Sequence, residues 1–120
     1  MTKPKVEHFL DLVRRSELVD RDQLNRTLLE LKEEAGGKPI TDTDFVAEKL
    51  VEAGLITRWQ ADRLLEGRYK GFFLKKYKLL GLLGSGGMST VYLAQHVLMQ
   101  RLVAIKVLPK NRVNDSSYLA

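Results

Sequence analysis

Apolar residues recur at helical spacing through the first half of the chain and then change rhythm. Val6, Phe9, Leu10 and Val13 follow the i, i+3, i+4, i+7 rule, which predicts an amphipathic helix over residues 5–15. A second helix is predicted from Asp20, whose side chain can accept from the first-turn N–H groups while Gln23 reaches back to close a capping box. Val19 and Leu24 form a hydrophobic staple there; Leu24, Leu28 and Leu31 share one face, and Gly36 and Gly37 end the helix. Thr41 with Asp44, and Ile40 with Phe45, mark a third helix carrying Val46, Leu50 and Ala53 and stopped by Gly54. Thr57 with Gln60 caps a fourth, with Leu64 and Leu65 on its buried side and Gly67 at its end.

The second pair of helices echoes the first. A shift of 37 residues overlays Leu18-Val19-Asp20-Arg21 on Leu55-Ile56-Thr57-Arg58, Gln23 on Gln60 and Leu28 on Leu65. Either a duplicated helical hairpin or the shared grammar of helix starts accounts for this. A four-helix domain follows from both.

From Tyr77 the helical period disappears. Residues 77–83 form a short apolar run bounded by glycine, residues 90–94 are β-branched and aromatic, and residues 102–108 form a third apolar run ended by Pro109. These predict three antiparallel strands in a meander, with Gly84–Ser89 as a flexible turn and Gln95–Gln100 as a connection. The fold class expected is α+β.

Charge separates the same two regions. The chain has 120 residues and a formal net charge of +5, but residues 1–66 hold 11 Lys+Arg against 14 Asp+Glu. Residues 67–120 hold 9 Lys+Arg and one acid, Asp115. The expected organisation is a helical accessory domain over 1–66, a basic linker over 67–76 and a strand region over 77–120. With 44% apolar and 29% charged residues, the chain is not disordered overall. Without Cys it has no disulfide frame, Cys-based zinc site or thiol nucleophile. Residues 1–15 carry Glu7 and Asp11 and do not read as a secretory signal, and no apolar run approaches the ~20 residues of a membrane span. A cytoplasmic location without a membrane segment is expected.

The turn between the third and fourth helices has the length of a DNA-binding helix–turn–helix, and Arg58, Arg63, Arg68 and Lys70 lie beyond it. The acidic balance of the region, with Asp62 and Glu66 among those cations, argues against a nucleic-acid partner. Trp59 is expected as a partly buried packing residue, and His8 has no metal-spaced partner.

Candidate chemistry lies in the strands. A glycine-rich turn lets backbone N–H groups approach a polyphosphate closely. Ala104 and Lys106, two apart, share one face of their strand; the small residue leaves room for a flat base, and the lysine can reach phosphate oxygens. Leu83 and Val91 can sandwich a planar ring. A generic glycine hairpin with a surface lysine is the plainer alternative. A dinucleotide-binding turn is disfavoured because strand, not helix, follows the glycines, and no Gly-Lys-Ser/Thr of a Walker loop is present.

The run Leu83-Gly84-Ser85-Gly86-Gly87-Met88-Ser89-Thr90-Val91-Tyr92-Leu93-Ala94, followed by Val103-Ala104-Ile105-Lys106, resembles the start of a bacterial eukaryotic-like (Hanks-type) protein serine/threonine kinase. The resemblance implies that the strands are the first three of a kinase small lobe. It also implies that Leu83, Gly84, Ser85, Gly86, Gly87, Met88, Ser89, Thr90 and Val91 cover ATP, that Leu83, Val91 and Ala104 line the adenine pocket, and that Lys106 holds the α- and β-phosphates. Ser89 departs from the pattern, standing where the third loop glycine is expected. The parent reaction implied is γ-phosphoryl transfer from ATP with Mg2+ to Ser or Thr of a protein substrate. No His-Arg-Asp or Asp-Phe-Gly occurs in the sequence, so the metal ligands and catalytic base are expected beyond Ala120 and no catalytic residue is assigned. His96 and Asp115 are not substitutes for them. The helical region and the Tyr69–Phe73 link resemble N-terminal extensions of some bacterial kinases. The alternative function for the helical region is a non-enzymatic protein-interaction or autoregulatory module with its own protein partner.

Overall fold

The computed structural model describes residues 3–108. Four helices precede four strands: α1 (Val6–Ser16), α2 (Arg21–Glu34), α3 (Thr43–Glu52), α4 (Arg58–Leu65), β1 (Phe73–Leu74), β2 (Tyr77–Gly86), β3 (Ser89–His96) and β4 (Leu102–Val107). The chain divides into two compact units, Met1–Phe72 and Phe73–Ala120. The fold is mixed α and β, as the change of period predicts.

The helical unit is held by one apolar cluster. α1 contributes Phe9, Leu10, Leu12 and Val13, α2 Leu24, α3 Val46, Ala47 and Leu50, and α4 Ala61 and Leu64. Leu18, from the α1–α2 connection, and Ile56, from the α3–α4 connection, join it. Leu12 and Ala47 join the expected stripes, whereas Ala53 is exposed at the C-cap of α3. Segment 67–76, expected as a basic linker, supplies Phe72 to this cluster and packs Tyr69 against it. Phe72 meets half-buried Trp59 edge-on at 5.8 Å, and the Arg63 guanidinium sits 5.1 Å from the Trp59 ring centroid.

Helix ends follow the capping chemistry, with two corrections: Gln23 does not close the expected box on α2, and the cap of α3 moves by one residue. Asp20 caps α2 by accepting from Gln23 N (3.2 Å). Thr57 caps α4 in a full capping box: its hydroxyl accepts from Gln60 N (3.1 Å), and Gln60 Oε1 accepts from Thr57 N (2.9 Å). The α3 cap is Asp42 rather than Thr41, its carboxylate accepting from Phe45 N at 3.3 Å. Phe45 is therefore three residues past the cap rather than four. It stays exposed beneath the Lys49 ammonium instead of stapling Ile40. Thr43 turns inward, donating its hydroxyl proton to Pro4 O (2.8 Å). Lys3 pairs with Asp44, whose hydrogen bond and charge hold the lysine pKa above its ordinary range. α3 and α4 both end in Schellman motifs. Leu55 N donates to Leu50 O and Gly54 N to Val51 O; Arg68 N donates to Arg63 O and Gly67 N to Leu64 O. Gly54 and Gly67 take left-handed φ values of 78° and 89°, which a side chain would oppose.

The sheet is an antiparallel meander in the order β1-β2-β3-β4. Four strands stand where three were expected. β1 pairs Phe73 with Lys78 and Leu74 with Tyr77 around a turn in which Lys75 is left-handed. A two-residue strand is too short to show an alternation, so the sequence pattern does not reveal it. β4, the last of the three expected strands, ends at Val107, and the expected extension through Leu108 is not strand.

Candidate functional site

The glycine segment is more ordered than a flexible turn. β2 and β3 pair without a break from Gly84↔Val91 through Ser85↔Thr90 to Gly86↔Ser89. Two residues, Gly87 and Met88, make the reversal, and Gly87 has φ 58°. That is the first central position of a two-residue hairpin loop, where a type II′ turn requires glycine. The expected six-residue turn is thus corrected to two residues. Glycine lacks a Cβ but keeps its N–H and C=O, so Gly84 and Gly86 can still extend the ladder. A Cβ built at Gly84 or Gly86 meets nothing within 4 Å, leaving open space over this part of the hairpin.

Register fixes which predicted residues meet. Val91 is directly opposite Lys106, and Leu93 directly opposite Ala104. Side chains at facing positions of an antiparallel pair lie on one face, with Cβ atoms about 4.5–5.5 Å apart. Val91, Leu93, Ala104 and Lys106 therefore form one square on one face, and Gly84 flanks it opposite Val91. Ala104 and Lys106 are exposed, and Val91 and Leu93 half-buried. The other face carries Leu79, Tyr92, Ala94, Val103 and Ile105, of which Leu79 and Ala94 are buried. Leu83 falls where the β2–β3 register shifts between Leu82 and Gly84, and it is 56% exposed. The structure does not place Leu83 in the square.

A shallow depression of about 390 Å³ lies along the hairpin, lined by Ser85 to Thr90 and by Val107 and Leu108. No charged side chain lines it, but the charge of the surrounding segment is one-sided. Residues 67–108 contain seven Lys and Arg and no Asp or Glu. Lys106 makes no ion pair among the described residues. An uncompensated cation beside small residues and an open glycine hairpin suits an anionic, flat ligand. The same composition leaves no carboxylate on these strands for a divalent metal, and among the described residues no group of three or more His, Asp or Glu is placed to hold one.

A 44-residue stretch of this chain is 41% identical to the serine/threonine-protein kinase PrkC of Bacillus subtilis (strain 168). The matched stretch covers 37% of this chain and 7% of that kinase. No protein-family model matches the chain, and no solved structure does either. The likeness supports a kinase-related origin for part of the chain.

Leu93 is the member of the square that motif reasoning passes over. Strand alternation could have found it, because it lies two residues after Val91 on the same strand. Val107 and Leu108 line the hairpin depression without belonging to any motif.

Two larger concavities lie in the helical unit. One, of about 600 Å³, is lined by charges, with Lys3 paired to Asp44 and Arg58 to Glu48. The other, of about 430 Å³, has an apolar lining that includes Leu10, Leu28, Leu31, Ile40 and Val46, and carries Glu7, Arg14, Lys32 and Lys38. No helix among the described residues is long and apolar enough to cross a membrane.

Proposed function

We propose that the strand unit is the ATP-binding part of a protein serine/threonine kinase small lobe. The observation that supports this most is the square of Val91, Leu93, Ala104 and Lys106 beside the glycine hairpin, in a chain with a partial likeness to a named serine/threonine kinase. Val91 and Ala104 offer one apolar, low-relief surface for the adenine ring, with Leu83 at its margin. Gly84, Ser85, Gly86, Gly87, Met88, Ser89 and Thr90 form the cover over the phosphates. Gly87 and Met88 are the reversal that can bend toward them. Lys106 supplies positive charge to the phosphate oxygens, and residues 67–108 hold no carboxylate to compete for it. Bound ATP would bring the transferable γ-phosphoryl group. The strands hold and orient the nucleotide, while Mg2+ ligands and the base for a protein hydroxyl lie outside these residues.

The test is calorimetric titration of the chain with ATP. Weak, saturable binding that Lys106→Met removes, with the fold unchanged by circular dichroism, is the expected result. ATP binding that is indifferent to Lys106→Met would contradict it.

The helical unit has a separate reading as a protein-interaction module. The groove lined by Leu10, Leu28, Leu31, Ile40 and Val46 favours it, because Arg14, Lys32 and Lys38 outnumber the one acid there, Glu7, and suit an amphipathic segment with acidic flanks.

A further inference from the structure

The end of the sheet away from the glycine hairpin has its own construction. There the β1–β2 turn at Lys75-Lys76 lies beside the β3–β4 connection, tied to it by Val97 N donating to Lys76 O at 2.9 Å. The connection carries the most exposed large apolar side chains on the described chain: Leu98 is 83% and Met99 66% exposed. Val97, Leu74 and Leu102 extend the patch, all exposed. Lys75, Lys76 and Arg101 are its exposed charges, with no acid anywhere in residues 67–108 to offset them.

This is not a slack loop. His96 N donates to Arg101 O (2.9 Å) and Gln100 N to His96 O (2.8 Å), closing the connection at its base. Gln100 adopts a left-handed φ of 54° to complete the reversal, and the Gln95 side-chain amide donates to its carbonyl at 3.3 Å. The His96 ring, set edge-on to Tyr77, turns Nδ1 toward the tip and accepts from Leu98 N (3.2 Å) and Met99 N (3.1 Å). The two most exposed apolar residues are thus the two whose backbone donors the histidine satisfies.

That combination discriminates between kinds of partner. A backbone N–H carried into an apolar medium without a partner is costly, so an inserted loop tip needs its donors satisfied from within. A convex tip needs a matching hole on a protein, but none in a fluid bilayer. Cations without interspersed acids suit an anionic surface, and apolar burial adds to that attraction. We propose that this end of the sheet docks on an anionic lipid bilayer, with Leu98 and Met99 entering the acyl boundary and Lys75, Lys76 and Arg101 meeting the headgroups.

Co-sedimentation of the full chain with lipid vesicles tests this. The chain should pellet with phosphatidylcholine vesicles containing about 30% phosphatidylglycerol, not with phosphatidylcholine alone, and added salt should weaken the binding. Leu98→Asp with Met99→Asp should reduce partitioning by roughly tenfold or more. Lys75→Gln with Lys76→Gln, which touches no apolar residue, should reduce it about 25-fold, taking about fivefold per cation. Leu29→Asp, at an exposed apolar position on α2, should leave it unchanged. The proposal is overturned if the chain stays in the supernatant with anionic vesicles, or pellets equally with neutral ones. Binding unaffected by both double variants also overturns it. So does self-association that Leu98→Asp with Met99→Asp abolishes while vesicles are ignored, which would assign the patch to a second copy of the chain.

Discussion

Among the described residues, fourteen of the sixteen buried apolar side chains belong to the helical unit and two, Leu79 and Ala94, to the strand unit. The helices surround a common cluster, α2, α3 and α4 start at side-chain caps, and α3 and α4 end in Schellman turns, so local sequence satisfies the apolar faces and many of the terminal backbone groups. The strands pair in an open meander whose β4 edge has no partner strand among the described residues, and they leave Ala104 and Lys106 on one face exposed to solvent. Charge divides in the same way. Acid and base are interspersed through the helices, whereas residues 67–108 are basic without exception. The contrast separates residues chosen for stability from residues kept available. Truncation in the first unit should cost folding free energy, and substitution on the open face of the second should cost binding.

The largest expected effect breaks the helical core. Phe9 is fully buried, so Phe9→Ala should lower stability by about 3–5 kcal/mol, read as a shift of the urea midpoint at 222 nm. The matching change in the sheet is smaller. Val103 is half-buried, and Val103→Ala should cost only about 1 kcal/mol in the same experiment. Equal losses at the two positions would erase the distinction between the units.

Next is Gly87→Val, which sets a β-branched residue at a left-handed turn. Strain of about 1–2 kcal/mol should appear locally, as faster amide exchange over Ser85–Thr90, together with weaker ATP binding. Unchanged exchange and unchanged binding would mean that the turn geometry is not needed. The smallest effect separates the two capped helical hairpins. Thr57→Ala should cost about 1 kcal/mol or slightly more, because Thr57 caps within a reciprocal box, and Asp20→Ala should cost less, because Asp20 makes its forward bond alone. Thermal melts of the two variants would order them.

Much of this was legible because it depends on short-range chemistry. Asp20 and Thr57 cap where the sequence places them, since the capping bond spans three residues and needs no tertiary information. The third helix shows the limit. Thr41, Asp42 and Thr43 are all competent caps, and the hydroxyl of Thr43 is drawn to Pro4 O, a contact 39 residues away that no local rule contains. β1 was invisible because two residues carry no period. The glycine hairpin was misread as loose because glycine frequency signals a turn, while pairing depends on N–H and C=O groups that glycine shares with other residues. In the candidate site, Val91, Ala104 and Lys106 were legible from motif and alternation. Leu93 and the exclusion of Leu83 from the square required the observed register, including its shift between Leu82 and Gly84.

Amide chemical-shift mapping during an ATP titration tests the central claim most directly, since it reports weak binding residue by residue. The account predicts saturable shifts over Ser85–Thr90 and at Val91, Leu93, Ala104 and Lys106, absent in Lys106→Met, with the amides of α1–α4 unmoved. Shifts confined to the helical unit, or a Lys106→Met spectrum that responds as the parent does, would contradict it.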